Sequence, residues 1–526
     1  MVPAHGTSRR YHNFVPGRVW IFWILFLIRG SFYSAMLPLW EGWDEYAHFA
    51  WLQHWNDRGT LPVAADRVSR EIDESMRLAP LPRELRWMGP PYLTHDQWWA
   101  LSDAERAARV AGLVAIPPAW GHEPAVALGK PMVFYEAQQP PLYYWIAGAA
   151  MRPMGQWPLS ERVLLIRLLG VLFTSLAIPF TFLAARQCGH VAATVCHAEG
   201  AETRGDRREE IWAVGCAALL AVAPGLAIDS ARVANDGLAI GLAAAFLWLM
   251  TRHRLQWLPV GIVLGAGMLA KASLLVLAPV LTILWIRREW KKTAFALAVG
   301  IAIGGWWYAR NVVSGLPLTG WQESVPLGPL VASALHLIRN GGWLSGAQTV
   351  AKSFTWFGAW SFMTLRTWMY VALEGCAFAG MIAGIAFHGR RLQVPLVFVG
   401  CFALAIAGGA AAYNAVHGIP GIPGWYLWPA GGAMAILIAG GLGRFTAVFV
   451  AMLAAADLFG AAARMMPYYS GLAPWNHGSV MQLPEAAARL HVSLWMTAAW
   501  VLATVAIPVW VAADAWLVQG RANTRM

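Results

Sequence analysis

The sequence predicts an all-α polytopic membrane protein: a bundle of about twelve transmembrane helices with juxtamembrane helices in a large first exofacial loop. Three observations carry that prediction. Of 526 residues, 58% are hydrophobic and 13% charged, against about 25% charged in an ordinary soluble chain. Mean hydropathy is +0.48. Long apolar runs alternate with turns, and the Lys and Arg residues collect in every second turn, the bias that holds basic turns in the cytoplasm.

That bias also accounts for the net charge of +11. The cations sit in short turns between apolar runs, which argues for the lipid bilayer as partner and against nucleic acid. The 31 tryptophans suit a protein with many interfacial anchors. Five cysteines (Cys188, Cys196, Cys216, Cys376 and Cys401) match no zinc or redox spacing. None falls in an expected exofacial loop, so no disulfide is expected.

A basic N-terminus with Arg9, Arg10 and Arg18 precedes the first span, 19–39, which reads as a signal anchor without a cleavage site. Residues 40–160 read as one exofacial loop with amphipathic runs at 46–57, 65–78 and 97–113. Within it, 140–153 is apolar for only about a dozen positions, short of the roughly 20 that a crossing needs. A crossing there would also turn Arg186, Arg204, Arg207 and Arg208 outward. That segment therefore reads as a juxtamembrane or half-inserted helix. Later spans are placed near 163–185, 211–229, 236–251, 257–270, 272–286, 293–313, 366–387, 393–413, 425–441, 445–463 and 492–515. The core spans then cover 161–313, a second exofacial loop 314–365 and the C-terminal spans 366–526, in one integral-membrane domain. Cytoplasmic turns carry Arg252 and Arg254, Arg287, Arg288, Lys291 and Lys292, Arg390 and Arg391, and Arg444; Arg521 and Arg525 end the chain. Both termini are expected in the cytoplasm.

The polar residues of interest gather at the outer ends of these spans. Asp44 and Glu45 open the stretch WDEYAHFAWLQHW, with His48 four residues after Asp44, one helical turn away. This stretch reads either as a site or as an interfacial helix whose acids suit its N-terminus. Glu136 and Gln139 precede Pro140-Pro141, a proline pair that fits a helix start. Arg232 and Asp236 lie in SARVANDGLAI, where Asp236 reads equally as a helix cap. Arg310 and Asn311 end a span, with interfacial anchoring the alternative for Arg310. Tyr426 lies in GWYLWPA. Lys271 is the sharpest case. The run before it, 257–270, rises about 21 Å at 1.5 Å per residue, less than the roughly 30 Å of hydrocarbon. Its ammonium is expected below the surface, where a phosphate would be a natural partner; snorkelling is the alternative. His48 and His54 have no matched ligand set around them, so no metal is indicated.

Taken in order, WDEYAHFAWLQHWNDRGTLP, YEAQQPPLYYW, ARVAND, GMLAKAS, WWYARNVVSGLPL, FTWFGAW and GWYLWPA resemble the GT-C membrane glycosyltransferases, nearest the protein-mannosyltransferase and aminoarabinose-transferase type, across roughly 19–441. The resemblance implies transfer of a sugar from a polyprenyl-phosphate donor to an acceptor lipid, glycan or protein on the outer face of a bacterial inner membrane. It implies Asp44 as general base with Glu45 adjacent, Asp236 as the second acid, Lys271 near the donor phosphate, and Arg310 with Asn311 as the Arg-Asn pair. His48, Glu136, Gln139, Arg232 and Tyr426 complete the substrate-binding candidates. Relatives often carry Arg-Tyr in the last block, where this chain has Trp425-Tyr426. No Asp-x-Asp nucleotide-sugar motif in a soluble domain is present, in keeping with a lipid-borne donor. A transporter or flippase of a lipid-linked sugar is the competing class. Against it stand the lack of an internal repeat and the placing of polar residues at one face rather than at the midplane.

Overall fold

In a bilayer every backbone N–H and C=O needs a partner within the chain, which leaves the helix as the default for an apolar run. The computed structural model describes residues 17–125, 134, 136–190, 202–321, 324–389 and 391–523. Arg9, Arg10, Cys196, Arg390 and Arg525, and the side chains of Arg204, Arg207, Arg208 and Arg521, lie outside the described residues.

The first helix, α1 (Gly17–Met36), leads into α2 (Glu45–Arg58), α3 (Arg70–Leu78), α4 (His95–Trp99), α5 (Asp103–Val114) and α6 (Leu142–Met151). These loop helices match the amphipathic runs, and α6, at ten residues, packs on α2. The described strands are two residues each, Pro80–Leu81 paired in parallel with Leu93–Thr94. Then follow α7 (Leu159–Ser175), α8 (Ala177–His190), α9 (Glu202–Val222), α10 (Pro224–Ser230), α11 (Asp236–Met250), α12 (Trp257–Ala270), α13 (Leu277–Trp285) and α14 (Trp290–Val313). The second loop holds α15 (Leu327–Arg339) and α16 (Gly342–Thr355). The chain ends in α17 (Thr367–His388), α18 (Gln393–His417), α19 (Gly431–Leu442), α20 (Thr446–Gly460), α21 (Met466–Tyr469), α22 (Leu483–Arg489) and α23 (Leu494–Asn523).

Among the described residues, six helical segments are long and apolar enough to cross a bilayer, and seven if the bent pair α9–α10 is one span. Length and composition thus support about half of the twelve expected crossings. The shorter α11, α12 and α13 have 15, 14 and 9 residues.

The α9–α10 bend of 56° has a cause. Pro224 has no N–H to continue the ladder, so the last carbonyls of α9 lack helical partners. Arg29 of α1 supplies them, donating to the carbonyls of Ala221 and Val222. Its charge is balanced by Asp457 of α20 at 3.0 Å, which also accepts from Tyr33 at 2.7 Å and Trp500 at 3.2 Å. This buried knot fixes where α10 starts.

Close helix approach does the rest. A Cβ on Gly265 of α12 would lie 2.6 Å from the Ile303 side chain, and one on Gly304 of α14 would lie 2.7 Å from the Gly265 carbonyl. Gly261 and Gly265 on α12 and Gly300 and Gly304 on α14, each pair four apart, let the two backbones touch where lipid offers no hydrophobic drive. At the head of α11, a Cβ on Gly237 would come 2.6 Å from the Gly170 carbonyl of α7. That contact seats the first turn of α11 against α7.

Candidate active site

Three turns converge at one end of the bundle: 41–45 before α2, 231–235 before α11, and Lys271 after α12. Arg167, inside α7, binds the first of them. It caps α1 by donating to the carbonyls of Ser34, Leu37 and Pro38 and grips Glu45 through two bonds of 2.7 and 2.5 Å. Glu45 also accepts from the Val233 backbone N–H at 3.0 Å, tying the first turn to the second. Gly42 permits this, since a Cβ there would meet the Arg232 side chain at 2.6 Å.

The next residue back is left free by the same arrangement. Asp44 stands at the cap position of α2 with φ 55° and ψ 18°, and its side chain makes no capping bond. This left-handed region is uncommon for residues other than Gly, with Asp and Asn the most tolerant. Among the described residues its carboxylate has neither a hydrogen bond nor an ion pair, and it is partly exposed. Poor hydration pushes the Asp44 carboxyl up to about 6; the charges of Arg232 and Lys271 oppose that rise and Asp236 adds to it.

Opposite lies a charge cluster. Arg232 donates to Asp229 at 2.7 and 3.0 Å, to Asp236 at 2.8 Å and to the Trp43 carbonyl at 3.1 Å. Lys271 reaches the other Asp236 oxygen at 2.5 Å and packs 4.9 Å from the centre of the Tyr426 ring. It is 7% exposed, so its ammonium points inward rather than snorkelling. Asp236 is bound by both cations, and no side-chain cap bond is formed at the start of α11. Arg232 is spent on three partners. The Lys271 ammonium has three donors and keeps capacity for a further anion.

A third strand of polar contacts comes from the segment before α6. Gln139 donates to Glu136 at 2.6 Å and accepts from Asn235 at 2.9 Å, while Asn235 also donates to the Ala270 carbonyl at 3.0 Å. Burial, and next the charge of Asp44, pushes Glu136 up to about 8. His48 pairs with the Tyr144 hydroxyl at 2.6 Å. Burial lowers His48 to about 3, so the ring is neutral near pH 7.

The expected residues divide as follows. Asp44, Glu45, Glu136, Gln139, Arg232, Asp236, Lys271 and Tyr426 come together, with His48 behind them. Arg310 and Asn311 do not join this network: Arg310 packs 4.6 Å over Trp307, and Asn311 donates to the Leu318 carbonyl at 3.1 Å. Trp425 stacks on Trp43 at 4.3 Å. Sequence reasoning missed Arg167, Asp229, Tyr144 and Glu41. Glu41 accepts from Tyr469 at 2.8 Å and from the Ser361 backbone at 2.8 Å, and faces His95 at 3.3 Å. Arginines inside an apolar run, as in RVLLIRLLG, were the available signal for Arg167. No group of three or more metal-ligating side chains occurs among the described residues.

Fold and site define an all-helical, multi-pass integral membrane protein with a charged, largely enclosed site at one end of its helices. No family model matches the sequence, and no curated protein matches it. Among solved structures, it is similar to ArnT from Cupriavidus metallidurans in the apo state (16% identity, 72% of this chain and 64% of that one, TM-score 0.38). It is also similar to ArnT bound to undecaprenyl phosphate (15%, 73% and 68%, 0.38). A third is the oligosaccharyltransferase AglB from Archaeoglobus fulgidus in complex with an inhibitory peptide and a dolichol-phosphate (13%, 92% and 56%, 0.36). The chain thus spans just under two thirds of the first of these and just over half of the last.

Proposed function

We propose that this protein is a GT-C-type glycosyltransferase that moves a sugar from a polyprenyl-phosphate donor to an acceptor hydroxyl or amine at the outer face of the membrane. The observation that carries the reading is the contrast between neighbours. Glu45 is locked by Arg167 and the Val233 N–H, whereas Asp44 beside it is held in an uncommon backbone conformation with its carboxylate uncommitted. The ordered sequence blocks support the same assignment.

Asp44 accepts the proton of the acceptor as the acceptor's oxygen or nitrogen attacks the anomeric carbon. The bond from that carbon to the phosphate oxygen breaks as the new bond forms, and its electron pair leaves on the phosphate. Lys271 meets the charge gained there, its ammonium held by Asp236, which Arg232 fixes from the other side. A single displacement inverts the anomeric centre. Glu45 and Arg167 are positioning residues. Glu136, protonated at neutral pH, offers an O–H donor at the same mouth. Charge supports the orientation: Arg252, Arg287, Arg288, Lys291 and Lys292 sit at helix ends remote from Asp236 and Lys271, and basic turns favour the cytoplasmic side.

The test is reconstituted transfer with polyprenyl-phosphate sugars, comparing the wild type with Asp44→Asn and Glu136→Gln. Sugar consumption that Asp44→Asn abolishes supports the assignment. Full activity in Asp44→Asn removes Asp44 as the base, and no consumption by wild type removes the transferase reading.

A further inference from the structure

α11 carries Asp236 of the candidate site at one end and borders a cavity at the other. From Asp236 to Met250, α11 runs about 21 Å at 1.5 Å per residue. Its far end, with the ends of α8 and α13 and the start of α18, borders a partly open cavity of about 520 Å³. Arg252, Arg287, Arg288 and Arg391 line this space, and no Asp or Glu does. Among the described residues none of the four forms an ion pair; Arg252 packs 5.1 Å over Trp248. The acid of the adjoining turn, Glu289, is already held by Lys292 and the Leu255 N–H.

Further in, the Thr251 hydroxyl lies 2.7 Å from both the Gln187 amide oxygen and the Trp248 carbonyl, and the Gln187 amide N–H groups remain as donors. The walls toward the bilayer are apolar, and Ile283 and Leu396 are exposed there. Retention of basic turns in the cytoplasm asks only for positive charge. Lys291 and Lys292 supply that outside the cavity, while the lining cations are all arginine, whose planar fork matches phosphate. Four cations around one space repel each other until an anion enters.

We propose that this cavity binds the phosphate head group of an anionic membrane phospholipid, with its acyl chains along Ile283 and Leu396. Basic pockets between helices at a cytoplasmic face suit such head groups. The apolar wall beside the arginines distinguishes a lipid from a free anion.

The test uses the full chain in detergent with phosphatidylglycerol, phosphatidylcholine or glycerol phosphate added, read by native mass spectrometry and by thermal unfolding. Phosphatidylglycerol is expected to be retained and to raise the unfolding midpoint, whereas the other two are not. The double variant Arg287→Gln/Arg391→Gln should weaken retention at least tenfold, Arg288→Gln alone about threefold, and Lys291→Gln less than twofold. These side chains are exposed, so the variants should fold. Equal retention of phosphatidylcholine overturns the proposal, as does retention unchanged by the arginine variants. An equal loss in Lys291→Gln would assign binding to general surface charge. Saturation by glycerol phosphate at the same concentration would assign it to a free anion.

Discussion

Replacing Asp44 with asparagine should make the protein more stable while stopping the reaction. Poor hydration raises the Asp44 carboxyl to about 6, from about 3.9 in an open chain. The native state therefore holds this proton more tightly than the unfolded state does. The stability contributed by the protonated form is complete below about pH 4 and is lost as pH rises through 6. At neutral pH the ionised group costs roughly two units at 1.36 kcal/mol each, or about 3 kcal/mol. Asparagine tolerates the same left-handed backbone and carries no charge. Asp44→Asn should thus match the wild type at pH 4 and exceed it by up to about 3 kcal/mol at pH 7.5. Its transfer rate should fall about 10²- to 10⁴-fold, the usual worth of a positioned base. Equilibrium unfolding in detergent at pH 4, 5, 6 and 7.5, beside initial rates, measures both. A stability gap that stays flat across pH, or a variant that keeps its rate, would refute the reasoning.

Other expectations follow from the same geometry. Wild-type rate should decline below about pH 6 as Asp44 takes up a proton, and again above about 8 as Glu136 ionises beside it; Glu136→Gln should lose only the alkaline limb of a pH–rate profile. Lys271→Gln should cut kcat/KM for the donor by at least 100-fold, with most of the loss in kcat if the lysine meets charge that develops on the leaving phosphate. Glu45→Ala leaves Arg167 buried without its partner, which should cost about 3–5 kcal/mol and appear as a lower unfolding midpoint, in contrast to Asp44→Asn. Gly265→Leu should push α12 from α14 and lower the yield of monodisperse protein, because its Cβ already has no room.

The helices were legible because an apolar run in a bilayer has so few alternatives, and the loop helices because their polar faces repeat at helical spacing. The candidate cluster was legible as far as lone polar residues stood out against apolar surroundings: Asp44, Arg232, Asp236 and Lys271 all did, and they lie together in the fold. Division of labour was not legible. Nothing in the dipeptide Asp44-Glu45 says which acid is locked, since the lock comes from Arg167, 122 positions away. Arg310 and Asn311 stood out equally, yet local contacts at the end of α14 occupy them. Asp229 lay in the same run as Asp236 but drew no notice, because only the bend at Pro224 shows that it faces Arg232. Crossing number is the least legible property, as α11 to α13 are too short to count by length.

The knot at Arg29 bears on how the chain is made. Its acid partner, Asp457, is synthesised roughly 430 residues later, some 20 to 90 seconds at about 5–20 residues per second. During that interval an arginine stands in the first apolar segment, at a cost of roughly 2.5–3.5 kcal/mol on insertion scales. The carbonyls of Ala221 and Val222 arrive first and give it a halfway partner before α20 is threaded in. Membrane integration is thus expected to be staged, with the bend that presents Asp229 and Arg232 set by the carbonyl bonds of Arg29 before the last helices are made.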